Sequence, residues 1–211
     1  MARREAVVFV HGIWMTGVEL SLLRHRVKKA GYDTYQFHYP SLRCSPRANA
    51  AKLDKYLRSI KAGTIHLVAH SLGGIVLMHL FASFPQQKPG RVVMLGTPAR
   101  GSQVAHLLNQ RPLLHYILGA ATQQGLLGDV PVWPDDRELG LIVGTRQVGL
   151  GMVLTAGKLA QPNDGTVSLT ETAILQAKDV FQLEDTHFTM LIDKRTAQAV
   201  INFLCSGRFI T

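Results

Sequence analysis

The sequence predicts an α/β fold in which a mostly parallel sheet is covered by helices on both faces. Apolar, β-prone runs alternate with helical stretches along the chain, and the first run, 5–10, is apolar almost throughout. The alternation is typical of parallel sheets, and a continuous apolar run is typical of a strand buried on both faces. The unusual segments each follow a predicted strand, at the edge where such sheets bind ligands; they are 11–14, 69–73, 96–102 and 163–166.

The remaining strand predictions rest on a similar signal, a short run of apolar, β-branched or aromatic residues. The second run is closed by Pro40, and the third stops at a small residue, Ala69. After 5–10, the predicted strands are 32–39, 64–69, 91–95, 139–143 and 180–183.

The helix predictions rest on apolar spacing together with start and stop residues. Residues 18–30 form an amphipathic pattern that stops at Gly31, and Ser45-Pro46 opens a helix that stops at Gly63. Further helices are expected over 72–84, at the beginning of 103–137 and over 195–204. Residues 144–163 are too rich in glycine to assign, and 167–174 are irregular or a short helix.

Length and composition indicate one soluble domain, 1–211, in which 103–137 is a candidate small cap. Apolar residues make up 46% and charged residues 18%, which excludes the disordered and fibrous classes. Two cysteines are too few for a disulfide framework. The N-terminal apolar run lacks the length and the cleavage site of a signal peptide, and 139–156 carries Arg146 and several glycines, unlike a membrane span. We therefore expect a cytoplasmic location.

The net charge of +9 lies mainly in the first part of the chain, where residues 1–61 hold 12 Lys/Arg against 4 Asp/Glu. Such a surplus suggests nucleic acid or an anionic membrane surface as a partner. No nucleic-acid motif accompanies it, and the charges alternate with apolar helix positions. We expect a solvated basic face and no nucleic-acid partner, while peripheral contact with an anionic membrane is a further hypothesis.

The central stretch is Ala69-His70-Ser71-Leu72-Gly73, which follows an apolar run and precedes a helical one. It has the form of the strand–serine–helix turn G-x-S-x-G, with Ala69 at the first small position. A tight, strained turn raises the serine hydroxyl above the sheet, and the following helix directs N–H groups at the space above it. A glycine-eased turn that carries a serine by chance is the alternative, and the pentapeptide alone does not decide between them.

Further motifs occur in the order found in α/β-hydrolases: His11-Gly12, the Ser71 turn, 95–98, 163–167 and 185–187. From Val7 to about Phe209 the chain resembles small bacterial serine lipases and carboxylesterases, with a core similar to the minimal lipases that lack a large lid. The resemblance implies an α/β-hydrolase fold with at most a small cap. It also implies ester hydrolysis through a Ser-His-Asp triad and an acyl-enzyme, with no metal or organic cofactor.

A serine hydroxyl needs a base and a group that fixes the tautomer of that base, and in this fold the order is serine, acid, histidine. His187 follows Ser71 and the candidate acids, whereas the other histidines after Ser71 precede those acids. Asp164, in an Asn-Asp-Gly-Thr turn after the fifth strand, matches the position of the family's acid. The alternatives are Asp135, Asp136, Glu138 and Glu171, while Asp185 is expected to serve its own loop.

Acyl transfer also needs donors for the oxyanion. We expect the N–H of Leu72 to be one, and the N–H of Ile13 the other, with Trp14 as the neighbouring option. His11 is interpreted as structural, holding its loop by hydrogen bonds, and His70 as a packing residue.

The expected substrate is a small-molecule ester or a lipid with a short to medium apolar acyl group, bound by Trp14, Leu114 and Trp133. Three functional classes compete: an esterase or lipase; an acyltransferase, thioesterase or amidase with the same triad; and a non-catalytic relative that acts by binding.

Overall fold

The structure, a computed structural model, describes residues 5–111 and 113–210. Within these residues six strands form one sheet in the order β2-β1-β3-β4-β5-β6, and every neighbouring pair is parallel. The strands are β1 (Ala6–Val10), β2 (Asp33–Phe37), β3 (Ile65–His70), β4 (Val92–Leu95), β5 (Leu139–Gly144) and β6 (Asp179–Leu183). The predicted parallel sheet is thereby confirmed.

Helices follow the strands along the described chain. They are α1 (Ser21–Lys29), α2 (Pro46–Ser59), α3 (Leu72–Ser83), α4 (Gln103–Asn109), α5 (His115–Leu118), α6 (Leu150–Leu154), α7 (Leu169–Thr172) and α8 (Lys194–Ser206). Short 3-10 turns cover Val18–Leu20, Gly119–Thr122 and Thr189–Leu191.

Strand β1 shows why its sequence is apolar at every position. Ala6, Val8 and Val10 belong to the buried cluster under α2 and α3, whereas Val7 and Phe9 belong to the cluster under α1 and α8. Both faces of the central sheet are therefore covered, and alternating polar positions have no place in such a strand. The two edge strands, β2 and β6, are only partly buried.

The strand order changes direction between β1 and β3. The chain runs from β1 to β2 on one side, crosses back to β3 on the other side of β1, and continues outward through β4, β5 and β6. In open α/β sheets ligands bind beyond the carboxyl ends of the strands at such a point. The loop after β1 begins at His11, and the turn after β3 contains Ser71.

The glycine-rich segment 144–163, unassigned from the sequence, contains the short helix α6. A Cβ placed on Gly151 would lie 2.6 Å from the carbonyl oxygen of Gly165, so glycine lets this helix approach the turn that carries Asp164. Close tertiary packing therefore outweighs the low helix propensity of glycine. In the described residues no helix is both long and apolar enough to cross a bilayer.

The basic surplus of the N-terminal part is divided between the two sides of the sheet. Helix α1 packs against the α8 side and α2 against the α3 side. Helix α1 exposes two lysines and α2 exposes two lysines and two arginines. These two helices consequently do not combine into one basic surface.

Candidate active site

Ser71 occupies the turn between β3 and α3 in a backbone conformation that side chains rarely adopt, with φ 51° and ψ −121°. Two hydrogen bonds hold the turn against β4: the N–H of Ser71 donates to Leu95 O (2.9 Å), and Thr97 Oγ1 donates to Ser71 O (3.1 Å). Strain of this kind persists only where the surroundings enforce it, and it occurs frequently at active sites.

The small residues of the turn are required by close backbone approach. A Cβ on Gly73 would lie 2.5 Å from Val10 O and 2.7 Å from His11 O, where the loop after β1 passes over the start of α3. A Cβ on Gly74 would overlap the side chain of Thr97. Since contacts under 3.0 Å force something to shift, Gly73 lets α3 begin close to the loop after β1, and Gly74 lets it pass close to Thr97 after β4.

His187 and Asp164 are joined across the edge of the sheet by a hydrogen bond of 2.6 Å between Nδ1 and Oδ2. Asp164 is fully buried and His187 is 3% exposed. The other carboxylate oxygen, Oδ1, accepts the N–H groups of Thr166 (2.9 Å) and Val167 (2.7 Å), which fixes the carboxylate in its turn. The N–H of His187 donates to Asp164 O at 2.9 Å, so backbone and side chain of both residues are locked together.

Gly96, at the end of β4, leaves room for this pair. A Cβ at that position would lie 2.9 Å from His187 Nδ1 and 3.1 Å from Asp164 Oδ2. Sequence analysis identified 95–98 as a family motif but did not predict that Gly96 leaves space for His187 and Asp164.

The turn that carries Ser71, the candidate nucleophile and hereafter the nucleophile turn, lies directly beside this pair. The ring of His70, the residue before Ser71, is 4.6 Å from the ring of His187, centroid to centroid. In the described chain neither Ser71 Oγ nor His187 Nε2 has a hydrogen bond, and neither atom is completely buried. Catalytic hydrogen bonds in ligand-free sites are often long and tighten only around the substrate.

The alternative acids make other contacts. Glu171 caps the first turn of α7 through Ser168, Glu138 pairs with Arg91 and Lys178, and Asp185 binds Thr189 and Arg195. The two remaining candidates are exposed aspartates, Asp135 and Asp136. Among the described residues, Asp164 alone hydrogen-bonds to the imidazole of His187.

The two expected oxyanion donors have free N–H groups in the part of the chain that the structure describes. Leu72 is the first residue of α3, so its N–H has no acceptor within the helix. Ile13 lies in the loop after β1, where the N–H of the neighbouring Trp14 is occupied by Ser41 Oγ at 3.3 Å. This contact favours Ile13 over Trp14 as the second donor.

A mainly apolar cavity of about 60 Å³ opens beside Ser71. It is lined by Ile13, Trp14, Pro98, Ser102, Val104, Ala105, Leu108, Leu118, Leu126, Leu150, Gly151, Leu154, Thr166 and Val167. Trp14, with φ 60°, donates its indole N–H to Ile117 O (2.8 Å) and so connects the loop after β1 with α5. Sequence reasoning missed α6, whose Leu150 and Leu154 form one wall.

Of the predicted substrate-binding residues, Trp14 lines the cavity and Leu114 packs against the same apolar cluster without lining it. The prediction for Trp133 is corrected. Its side chain is 2% exposed, packs on Phe81 at a centroid distance of 5.0 Å, and belongs to the cluster between α3 and the sheet. Trp133 is a core residue because the irregular chain after α5 turns back under α3.

His11 holds the loop after β1. Its ring stacks on Tyr39 at 4.2 Å, its carbonyl oxygen accepts the hydroxyl of Tyr39 at 2.7 Å, and burial lowers the pKa of its imidazole. This neutral, enclosed ring matches the structural role expected from the sequence.

Comparisons with known proteins agree with this architecture. The mature form of the Bacillus licheniformis lipase BlEst2 superposes with a TM-score of 0.75 at 22% identity, covering 96% of this chain and 91% of that one. The metagenomic carboxyl esterase MGS0156 gives 0.64 at 19% identity over 88% and 65% of the chains. The pyrethroid hydrolase PytH gives 0.64 at 13% identity over 97% and 99%.

These similarities establish the fold as that of the α/β-hydrolases. A search of curated proteins found no match. The family described as a domain of unknown function, DUF7379, matches residues 1–145. This match spans β1 to β5 and includes the nucleophile turn, and the chain therefore belongs to the DUF7379 family.

Proposed function

We propose that this protein is a serine carboxylesterase, similar to small lipases, that hydrolyses esters through Ser71, His187 and Asp164. The observation that carries the proposal is the buried 2.6 Å contact between His187 and Asp164 beside a serine in a strained turn. The fold is shared with proteins named lipase, carboxyl esterase and pyrethroid hydrolase, which supports a hydrolase function.

In the first step Ser71 Oγ attacks the ester carbonyl carbon while its proton passes to His187 Nε2. Asp164 Oδ2 accepts the hydrogen bond from Nδ1, which keeps Nε2 free to take that proton and stabilises the imidazolium that forms. The developing oxyanion is bound by the N–H groups of Leu72 and Ile13; loss of one such donor costs about 2.7–4 kcal/mol. Collapse of the tetrahedral intermediate breaks the bond to the alcohol, which leaves with the proton from His187.

In the second step a water molecule gives a proton to His187 Nε2 as its oxygen attacks the acyl carbon. The acid is released when the bond to Ser71 Oγ breaks, and the hydroxyl recovers its proton from His187. The side chains and backbone groups of the site suffice for each of these proton transfers.

The cavity beside Ser71 supports a short acyl group. With a volume of about 60 Å³, it holds only a few methylene groups, each of which contributes about 0.8 kcal/mol when removed from water. We therefore expect butyryl esters to be preferred over decanoyl esters.

The composition of the segments that line the cavity favours a neutral or anionic ester. The two segments that supply most of its lining, 96–128 and 139–163, contain no Asp or Glu. Their charged side chains are all cationic and exposed: Arg100, Arg111, Arg146 and Lys158. A cationic substrate would find no carboxylate partner on these segments, whose net charge is positive.

The test is labelling with a fluorophosphonate probe combined with hydrolysis of p-nitrophenyl butyrate. Ser71→Ala should abolish both signals. Ser102→Ala is the matched control, since Ser102 lines the same cavity and uses its hydroxyl to cap α4, accepting the N–H of Ala105 at 3.2 Å. Labelling of Ser71→Ala at the rate of the parent would contradict the proposal.

Transfer of the acyl group to an acceptor other than water uses the same residues, so it is distinguished by product rather than by labelling. Release of free butyric acid in the absence of added alcohol, amine or thiol supports hydrolysis. Stable retention of the acyl group on Ser71 until such an acceptor is added would favour transfer.

A further inference from the structure

His70 connects the nucleophile turn with the loop that carries His187, here called the base loop. Its ring is fully buried, its Nε2 lies 3.1 Å from the carbonyl oxygen of His187, and the two rings are 4.6 Å apart at 46°. The two residues are 117 positions apart in the sequence, so this contact joins the end of β3 to a loop that is distant along the chain.

The direction of the hydrogen bond follows from the chemistry of its partners. A carbonyl oxygen can only accept, so His70 Nε2 carries a proton and donates it. Burial is the largest of the causes that lower the pKa of His70 well below its usual value, with the nearby His187 adding to it, so the ring is neutral and Nδ1 is unprotonated. Nδ1 has no hydrogen-bond partner in the described chain and faces Gly12, where an added Cβ would lie 3.1 Å away.

A neutral imidazole at position 70 is compatible with the charge that forms on His187. The titratable side chains that act on His70 are His187 and His11, both imidazoles, and the carboxylate of Asp164 lies beyond His187. When His187 becomes an imidazolium during the reaction, a neutral His70 adds no second positive charge to the site.

We propose that His70 is a positioning residue: by donating Nε2–H to the carbonyl oxygen of His187, it holds the base loop against the nucleophile turn. The imidazole of His187 is thereby kept in line with Ser71 on one side and Asp164 on the other. The inference rests on the proposed function of this site. It differs from the packing role expected from the sequence, because an apolar side chain of similar size would fill the same space without making the hydrogen bond.

His70→Leu removes the donor and keeps most of the volume, whereas His70→Gln keeps an N–H donor near the position of Nε2. We expect His70→Leu to lower the labelling rate and kcat by about 10- to 100-fold, since small misplacements of catalytic groups cost rates of that order. KM for p-nitrophenyl butyrate should change little, because His70 does not line the cavity. His70→Gln should retain most of the parent rate.

A spectroscopic measurement reports on positioning independently of activity. The proton shared by His187 Nδ1 and Asp164 Oδ2 should give a far-downfield ¹H resonance, as expected for a short, charge-assisted hydrogen bond. This resonance should persist in the parent and in His70→Gln, and broaden or disappear in His70→Leu. If His70→Leu does not fold, His70→Met takes its place.

His79→Leu is the matched control. His79 is also buried, and its Nε2 also lies within hydrogen-bond distance of a carbonyl oxygen, that of Gln124 at 2.6 Å, but it contacts neither Ser71 nor His187. Its loss should lower thermal stability without changing the labelling rate or the downfield resonance.

The inference is overturned if His70→Leu labels and turns over at the parent rate with an intact resonance, even when its melting temperature falls. Equal impairment of His70→Gln and His70→Leu would also overturn it, since the donor would then not be responsible. Failure of the parent itself to label would count against the proposed function instead, and the resonance comparison would still decide the role of His70.

Discussion

Asp164→Asn tests the least accessible part of the site. The substituted amide keeps the size of the carboxylate, and its oxygen can still accept the N–H groups of Thr166 and Val167. The NH₂ group then replaces Oδ2 and presents a hydrogen to His187 Nδ1, which must become the acceptor. The proton of the neutral imidazole consequently moves to Nε2, the atom that has to accept the proton of Ser71.

The expected loss in kcat follows from the burial of the contact between Asp164 and His187. Asp164 is fully buried and the bond is 2.6 Å long, so solvent cannot replace the lost interaction. When His187 takes the proton of Ser71 it forms a buried ion pair with Asp164, and removing one partner of such a pair costs about 3–5 kcal/mol. The wrong tautomer in a serine triad lowers kcat by about 10⁴-fold, which corresponds to about 5.5 kcal/mol. We expect a fall in kcat of about 10³- to 10⁴-fold for Asp164→Asn.

The assay is steady-state hydrolysis of p-nitrophenyl butyrate, with circular dichroism to establish that the variant is folded. Asp185→Asn is the matched control, because Asp185 is only two residues from His187 yet binds Thr189 and Arg195 rather than the imidazole. Its kcat should stay within about threefold of the parent, since Asp164 keeps the tautomer. The reasoning is refuted if Asp164→Asn retains more than about a tenth of the parent kcat, or if Asp185→Asn is the variant that loses it.

Further predictions concern stability and selectivity. Gly73→Ala should lower the free energy of unfolding by more than about 2 kcal/mol, because the added Cβ meets two carbonyl oxygens. The control Gly63→Ala has open space around the added Cβ and should change this free energy by less than about 0.5 kcal/mol, as measured by urea titration. Leu126→Ala should move the preferred acyl group towards longer chains by enlarging the cavity wall, which a p-nitrophenyl ester series from acetyl to decanoyl tests. A p-nitrophenyl ester with a trimethylammonium acyl group should be a poorer substrate than its neutral isostere, with the gap narrowing at high salt. The hydrogen bond from Arg195 is the largest of the causes that lower the pKa of Asp193 to about 2. The ionised Asp193 therefore stabilises the folded protein above about pH 4, and this stabilisation is lost as the pH falls towards 2. The difference in urea midpoint between Asp193→Asn and the parent should shrink on acidification.

The fold was predictable because the strand patterns and the helix start signals in the sequence indicate the same architecture. Strand β1 is apolar at every position, and the apolar run of β3 stops at a small residue, Ala69, two positions before Ser71. Helix α2 begins at Ser45-Pro46, where the serine side chain caps the helix and the proline ring fits its first turn. Edge strand β2 was predicted two residues too long at its C-terminal end and one too long at the other, because half-buried edges have a weaker apolar signal.

The site residues were predictable where a turn has a recognisable local sequence. Asp164 could be preferred because its Asn-Asp-Gly-Thr turn follows β5, but the choice among the acids depends on which carboxylate reaches His187, and that distance is set by the whole sheet. Trp133 was misplaced because the segment before it has no regular period, so the sequence does not tell which face its aromatic side chain covers.

The contact between His70 and His187 could not be foreseen, since it joins the end of β3 to a loop 117 residues further along the chain through one main-chain oxygen. A histidine before the serine carries no signal that distinguishes a donor from a packing residue. The same holds for Gly96, whose importance comes from the imidazole that lies over it.

The most direct measurement is a crystal structure of the protein after reaction with a short alkyl fluorophosphonate. We predict a covalent bond from phosphorus to Ser71 Oγ, a phosphoryl oxygen about 2.7–3.1 Å from the N–H groups of Leu72 and Ile13, and His187 Nε2 within hydrogen-bond distance of the adduct. An adduct on another residue, or an unmodified Ser71 with the imidazole directed away from it, would contradict the assignment of these residues as an ester-cleaving triad.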